Sequence, residues 1–139
     1  MPTTEYAVII RDDIKVYEGD GNHVAIPIQE VTGARVVLHT HPPDPSWPLS
    51  VGPSPHDIAE LWSQGVREFV LIEPGATWVI RFPDTLSAQD QHLEHWQTLL
   101  DWLQADEELE WCGQRTEMAA LAKRALDRLG LQYTVLEAT

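Results

Sequence analysis

The chain has 139 residues, 43% of them hydrophobic, which suits one globular domain with a core of its own rather than a disordered chain. With 22 acidic residues against nine basic ones the formal charge is -13, which speaks against a nucleic-acid partner held through its phosphates. A single cysteine, Cys112, leaves neither a disulfide framework nor a cysteine-rich zinc finger, so any metal has to be held by His, Asp or Glu.

The opening "MPTTEYAVII" has no basic stretch leading into a long apolar core, and no apolar run reaches transmembrane length. The expectation is a cytoplasmic protein with neither signal peptide nor membrane span. "TEYAVIIRDD" predicts a strand that ends at an Asp-Asp turn. "IKVYEGDGNHVAIPI" predicts two strands around "GDGN", since Gly and Asn tolerate positive φ. "ARVVLHTH" predicts a further strand, stopped by Pro42 and Pro43. Residues 43–53, rich in proline and carrying Trp47, predict an irregular surface loop.

"SPHDIAELWSQG" predicts a helix with its punctuation in place. Ser54 suits the N-cap, Pro55 the first helical position, Asp57 the positive end of the helix, and Gly65 its stop. "REFVLIEPGATWVIRFP" predicts two strands about Pro74-Gly75. Leu86, Leu93, Trp96, Leu100 and Leu103 follow a helical period, as do Met118, Leu121, Ala125 and Leu129. Gly130 stops the last helix, and "LQYTVLE" closes with a strand. The sum is one mixed α+β domain over residues 1–139, its first half largely β and its second half helical.

The chemistry concentrates in "VVLHTHPPDPSWPLSVGPSPHDI". Residues i and i+2 of a strand share a face, so His39 and His41 project together while Thr40 points away. Their Cα atoms would lie roughly 6.6 Å apart, close enough for both imidazoles to bind one zinc at about 2.0–2.1 Å. A catalytic zinc takes three protein ligands and leaves one position open, and Asp57 on the first turn of the following helix can be the third. Ser54 faces the same mouth, where its hydroxyl can cap the helix or donate to an oxyanion. A hydrolase of this kind also needs a general base. Glu5, at the start of the first strand, can be brought beside the two histidines by strand pairing; Glu18 and Glu30 are alternatives.

This arrangement resembles the JAMM (JAB/MPN-type) metalloprotease domain, in its compact bacterial and phage-associated form. The family's signature is an upstream Glu at a strand start, then H-x-H-P, then S-x-x-D. Here those are Glu5, "HTHP" at His39 to Pro42, and "SPHD" at Ser54 to Asp57. The resemblance covers Thr4 to about Phe82, with residues 86–137 adding helices and a closing strand. It implies a cytidine-deaminase-like layered fold with a central mixed β-sheet and flanking helices. It also implies one Zn2+ per chain on His39, His41 and Asp57, Glu5 as acid/base, and Ser54 steadying the tetrahedral intermediate. The implied substrate is a peptide, or a ubiquitin-like protein cleaved after its Gly-Gly tail. The stretch between Pro42 and Ser54 is longer than the family's usual spacing. The shorter register would put Ser50 in the serine slot and Pro53 in the aspartate slot, and proline cannot ligate.

Other residues admit structural readings beside functional ones. Two histidines near a strand end, or Ser-x-x-Asp at a helix start, each arise for structural reasons alone; it is their combination that points to a metal. Trp47 can cover the site or grip substrate, or pack its loop against the domain. His56 is expected exposed. His92 and His95, i and i+3 on a helix, suit a second metal or a partly buried packing role. Cys112, beside Trp111, is expected to be a packed thiol. A non-catalytic binding or assembly module of the same fold is the competing function, and a metal nuclease a further one that the charge disfavours.

Overall fold

The computed structural model describes residues 5–19, 26–41, 50–87 and 92–137. Among them six strands form one mixed sheet in the order β2-β1-β3-β4-β5-β6. The elements run β1 (Tyr6–Ile10), β2 (Ile14–Glu18), α1 (Ile28–Val31), β3 (Val36–Thr40), α2 (Pro55–Ser63), β4 (Glu68–Glu73), β5 (Ala76–Arg81), α3 (Leu93–Trp111), α4 (Met118–Arg128) and β6 (Gln132–Glu137). The α+β expectation holds, with five of the six strands in the first part of the chain and the two longest helices after them. No helix among the described residues is long and apolar enough to cross a membrane.

Local chemistry explains most boundaries. β1 and β2 form a hairpin about Arg11 to Asp13, with Ile10 opposite Ile14 and the Arg11 N–H donating to Asp13 O at 3.0 Å. The turn expected at "GDGN" lies beyond Gly19 outside the described residues, but its second strand does not extend to Ile28, because Ile28–Val31 is a helical turn. Pro27 decides this: it has no N–H to give a sheet, and its carbonyl accepts from Glu30 N at 3.0 Å. β4 and β5 turn at Pro74-Gly75, where Gly75 sits at φ +86, a conformation residues with a Cβ rarely adopt.

β3 and β4 form the one parallel pair among the described strands, and α2 lies in the connection between them. A parallel pair needs such a crossover, whereas every other pairing in the sheet is antiparallel. The covered face of the sheet carries Ala7, Ile9, Val37, Phe69, Leu71, Trp78 and Ile80, all essentially without solvent exposure. Ile58 and Trp62 of α2 and Ala122 and Leu126 of α4 complete the same core.

α3 turns a different face inward from the one its leucine period suggests. Thr98, Leu99 and Trp102 are buried, while Leu93 is 65% and Leu100 59% exposed. Leu86 is buried but precedes the helix. Tryptophan removes more apolar area from water than leucine, so the seam centres on Leu99 and Trp102, with Trp96 partly buried beside it. α4 follows the predicted stripe, with Met118, Ala125 and Leu129 all buried.

Candidate active site

The site lies where β3 ends. β3 is flanked by β1 and β4, which puts His39 opposite Ala7 on one side and Leu71 on the other. His39 shares the covered face with Val37 and meets the edge of Phe69 at 5.4 Å between ring centroids. His41 lies one residue past the strand, yet its N–H donates to Ile72 O at 2.8 Å and carries the ladder one step further. Thr40, between the two, accepts at Oγ1 from the Tyr6 N–H at 2.9 Å.

α2 brings the next pair. Ser54 has an extended backbone and its Oγ accepts from the Asp57 N–H at 3.1 Å, the N-cap expected from the sequence. Pro55 follows at the first helical position, and Gly65, at φ +76, lies just past the helix end. Asp57 thus stands on the first turn of a helix whose start faces the end of β3. Glu5 immediately precedes β1, and its carbonyl accepts from Gly19 N at 2.8 Å. Continuing the β1–β3 register beyond Ala7 and His39 sets Glu5 beside His41.

The charges of these groups reach one another. Burial is the largest influence on His39 and holds its imidazole below the ordinary histidine value; His41 adds to that and Asp57 opposes it. Burial also pulls His41 down, but there Glu73, then Glu5, then Asp57 outweigh it and raise the ring above its ordinary value. Two imidazoles on one strand end are therefore held differently, His39 toward neutral and His41 toward cation. His39, His41, Asp57 and Glu5 form one electrostatic set. Their side chains are not already converged: among the described residues no three His, Cys, Asp or Glu side chains make a preformed metal cluster. In kind, two imidazoles and a carboxylate are a donor set that suits zinc.

Sequence reasoning missed Glu73. The last residue of β4, it reads as a solvated charge before a turn, but its side chain is only 3% exposed. A lone carboxylate that buried would be very costly. Three hydrogen-bond donors and an imidazole surround this one. Oε1 accepts from Ser50 Oγ at 2.7 Å and Gly52 N at 2.8 Å; Oε2 accepts from Val51 N at 3.2 Å and faces His41 Nδ1 at 3.6 Å. Burial would raise its pKa, but His41, Ser50, Gly52 and Val51 together hold it below the usual carboxylate range. The signal was in the alternation: Phe69 and Leu71 face the core, so Glu73 must face it too.

Gly52 is fixed by the same corner. It sits at φ +80, and a Cβ there would come 2.9 Å from Trp78 Cζ2. Gly52→Ala is expected to lower stability by roughly 1–3 kcal/mol from the left-handed backbone alone, with the contact adding to it. Chemical denaturation reads this directly, and an unchanged midpoint would show that the corner yields freely.

The remaining candidates fall as follows. Trp47 and most of the proline-rich stretch lie outside the described residues. Glu18 is exposed at the end of β2, and Glu30 pairs with Lys15 at 2.9 Å. His56 is exposed, as expected. His92 is buried: its Nδ1 meets Ser87 Oγ at 2.9 Å, its Nε2 lies 3.6 Å from Asp84, and its ring stacks on His95. His95 in turn lies against the Trp62 ring at 5.0 Å between centroids, in keeping with the partly buried packing role. Cys112 is not a packed thiol. It is exposed beside Trp111, itself 91% exposed, because α3 ends there and none of the described elements covers it. Comparison with family models, with curated proteins and with solved structures finds no match to this chain.

Proposed function

We propose that this chain is a zinc-dependent peptidase or isopeptidase of the JAMM type, acting on a peptide or on the Gly-Gly tail of a ubiquitin-like protein. One observation carries the reading. Two imidazoles at the end of β3, a carboxylate on the first turn of α2 and a further carboxylate before β1 act on one another electrostatically. They come from three separate parts of the chain, and their sequence order, Glu5, then His39 and His41, then Ser54 and Asp57, is that of the signature Glu, H-x-H-P, S-x-x-D.

His39, His41 and Asp57 would hold the metal. Zinc bound there supplies a Lewis acid that polarises the scissile carbonyl and acidifies the attacking water. Glu5 takes the proton of that water and passes it to the leaving amine. Ser54 Oγ, which accepts from Asp57 N, has a hydroxyl hydrogen to donate to the developing oxyanion. An extended tail binds by adding a strand beside the site. The second reading, a non-catalytic module of the same fold, draws on the unconverged state of the donors.

Zinc content separates the two. The purified chain is expected to carry about one zinc, and His39→Ala or His41→Ala to lose most of it, since removing one of three protein ligands collapses affinity. Elemental analysis of the three proteins is the measurement. Zinc content that is unchanged in both variants, or absent from the parent chain, would overturn the enzyme reading.

A further inference from the structure

The parallel register that sets Thr40 opposite Ile72 continues one step to set His41 opposite Glu73. Both side chains then lie on the covered face, and Oε2 faces Nδ1 rather than Nε2. A neutral imidazole carries its proton on one nitrogen only, and the other keeps the lone pair that binds a metal. An ionised carboxylate 3.6 Å from Nδ1 attracts an N–H and repels a lone pair.

We infer that Glu73 is a positioning residue that fixes the proton of His41 on Nδ1 and so leaves Nε2 as the nitrogen offered to the metal. The functional consequence rests on the zinc reading above; the tautomer itself does not. Glu73 suits the task because it is immobilised. Its three hydrogen-bond donors are Ser50, Val51 and Gly52, and Ser50 Oγ in turn accepts from Trp78 Nε1 at 3.0 Å. The carboxylate cannot rotate away from His41 without abandoning them.

Glu73→Gln tests this with little change of shape. The amide oxygen is expected to keep Ser50 and Gly52, the two shortest partners, which turns the NH2 toward His41 and leaves the Val51 N–H without its acceptor. An NH2 can only donate, so Nδ1 must become the acceptor and the ring proton must move to Nε2. Two-bond 15N–1H spectra of the metal-free proteins, recorded where the ring is neutral, read the tautomer. The parent chain is expected to show His41 protonated on Nδ1 and Glu73→Gln on Nε2. Zinc affinity, from competition with a chromophoric chelator, is expected to fall ~10–100-fold, the range for losing the partner that orients a metal-bound histidine.

Trp78→Phe controls for simple loosening, since it removes the bond to Ser50 and leaves Glu73 opposite His41. It is expected to keep the parent tautomer and affinity. The inference is overturned if Glu73→Gln retains the Nδ1–H form, if it binds zinc as tightly as the parent, or if Trp78→Phe loses as much affinity. A parent chain that takes up no zinc would instead overturn the metal reading, and the tautomers would still decide the role of Glu73.

Discussion

Glu5→Gln is expected to keep zinc and fold while losing hydrolysis by at least ~10²–10⁴-fold, the typical worth of a positioned general acid–base. Glutamine preserves the side chain's size and its ability to hydrogen-bond, so the change is chemical. Glu5 is tied down by its own carbonyl, which accepts from Gly19 N at 2.8 Å, and that bond survives the substitution. Its carboxylate is close enough to raise the pKa of His41. Glu18→Gln and Glu30→Gln serve as controls and should retain activity, because Glu18 is exposed on β2, one strand further from β3 than Glu5, and Glu30 is paired with Lys15. The assay is cleavage of an isopeptide-linked ubiquitin-like protein alongside a peptide panel. Full activity in Glu5→Gln with loss in either control would move the base elsewhere; full activity in all three would end the mechanism argued here.

The second large effect concerns stability. Trp62 is 1% exposed in the middle of the core, stacks against Phe82 at 5.9 Å between centroids, and donates from Nε1 to Asp84 Oδ1 at 2.9 Å. Trp62→Ala removes one of the largest buried side chains and leaves a cavity that the sheet cannot fill, at a cost of roughly 3–5 kcal/mol. Because Trp62 anchors α2, the helix that begins with Ser54 and Asp57, zinc uptake should weaken in step with unfolding. Trp62→Phe keeps the packing but not the N–H, and should cost clearly less. Equal losses in both variants, by chemical denaturation, would assign the effect to the hydrogen bond and not to the cavity.

What the sequence made legible was what local chemistry decides. Ser54, Pro55, Asp57 and Gly65 mark the ends of α2 by backbone requirements confined to a few residues, and each stands where those requirements put it. The Pro74-Gly75 turn and the pairing of His39 with His41 on one strand face are of the same kind. Glu73 was hidden because its partners are non-local: Ser50, Val51 and Gly52 are far back in the chain, and His41 meets it only through the β3–β4 register. α3 escaped for a related reason. Its sequence offers leucines on one stripe and Leu99 with Trp102 on another, and only packing against α2 and α4 selects between them. At Pro27 a single missing N–H overrode an apolar run that reads as a strand.

The Glu73 corner has a consequence for chain length. His41 and Ser50 stand at the two feet of the proline-rich stretch, and one carboxylate holds both. The positions of these two residues are therefore set by one side chain and not by the number of residues that separate them in the sequence. Joining two fixed points by a longer chain costs an entropy that grows only with the logarithm of its length, ~0.6 kcal/mol for each doubling. The distance along the sequence from "HTHP" to "SPHD" is thereby uncoupled from the geometry of the groups it joins. Extra residues in that interval are expected to leave His41 and Ser50, and the histidine and aspartate beside them, where they are.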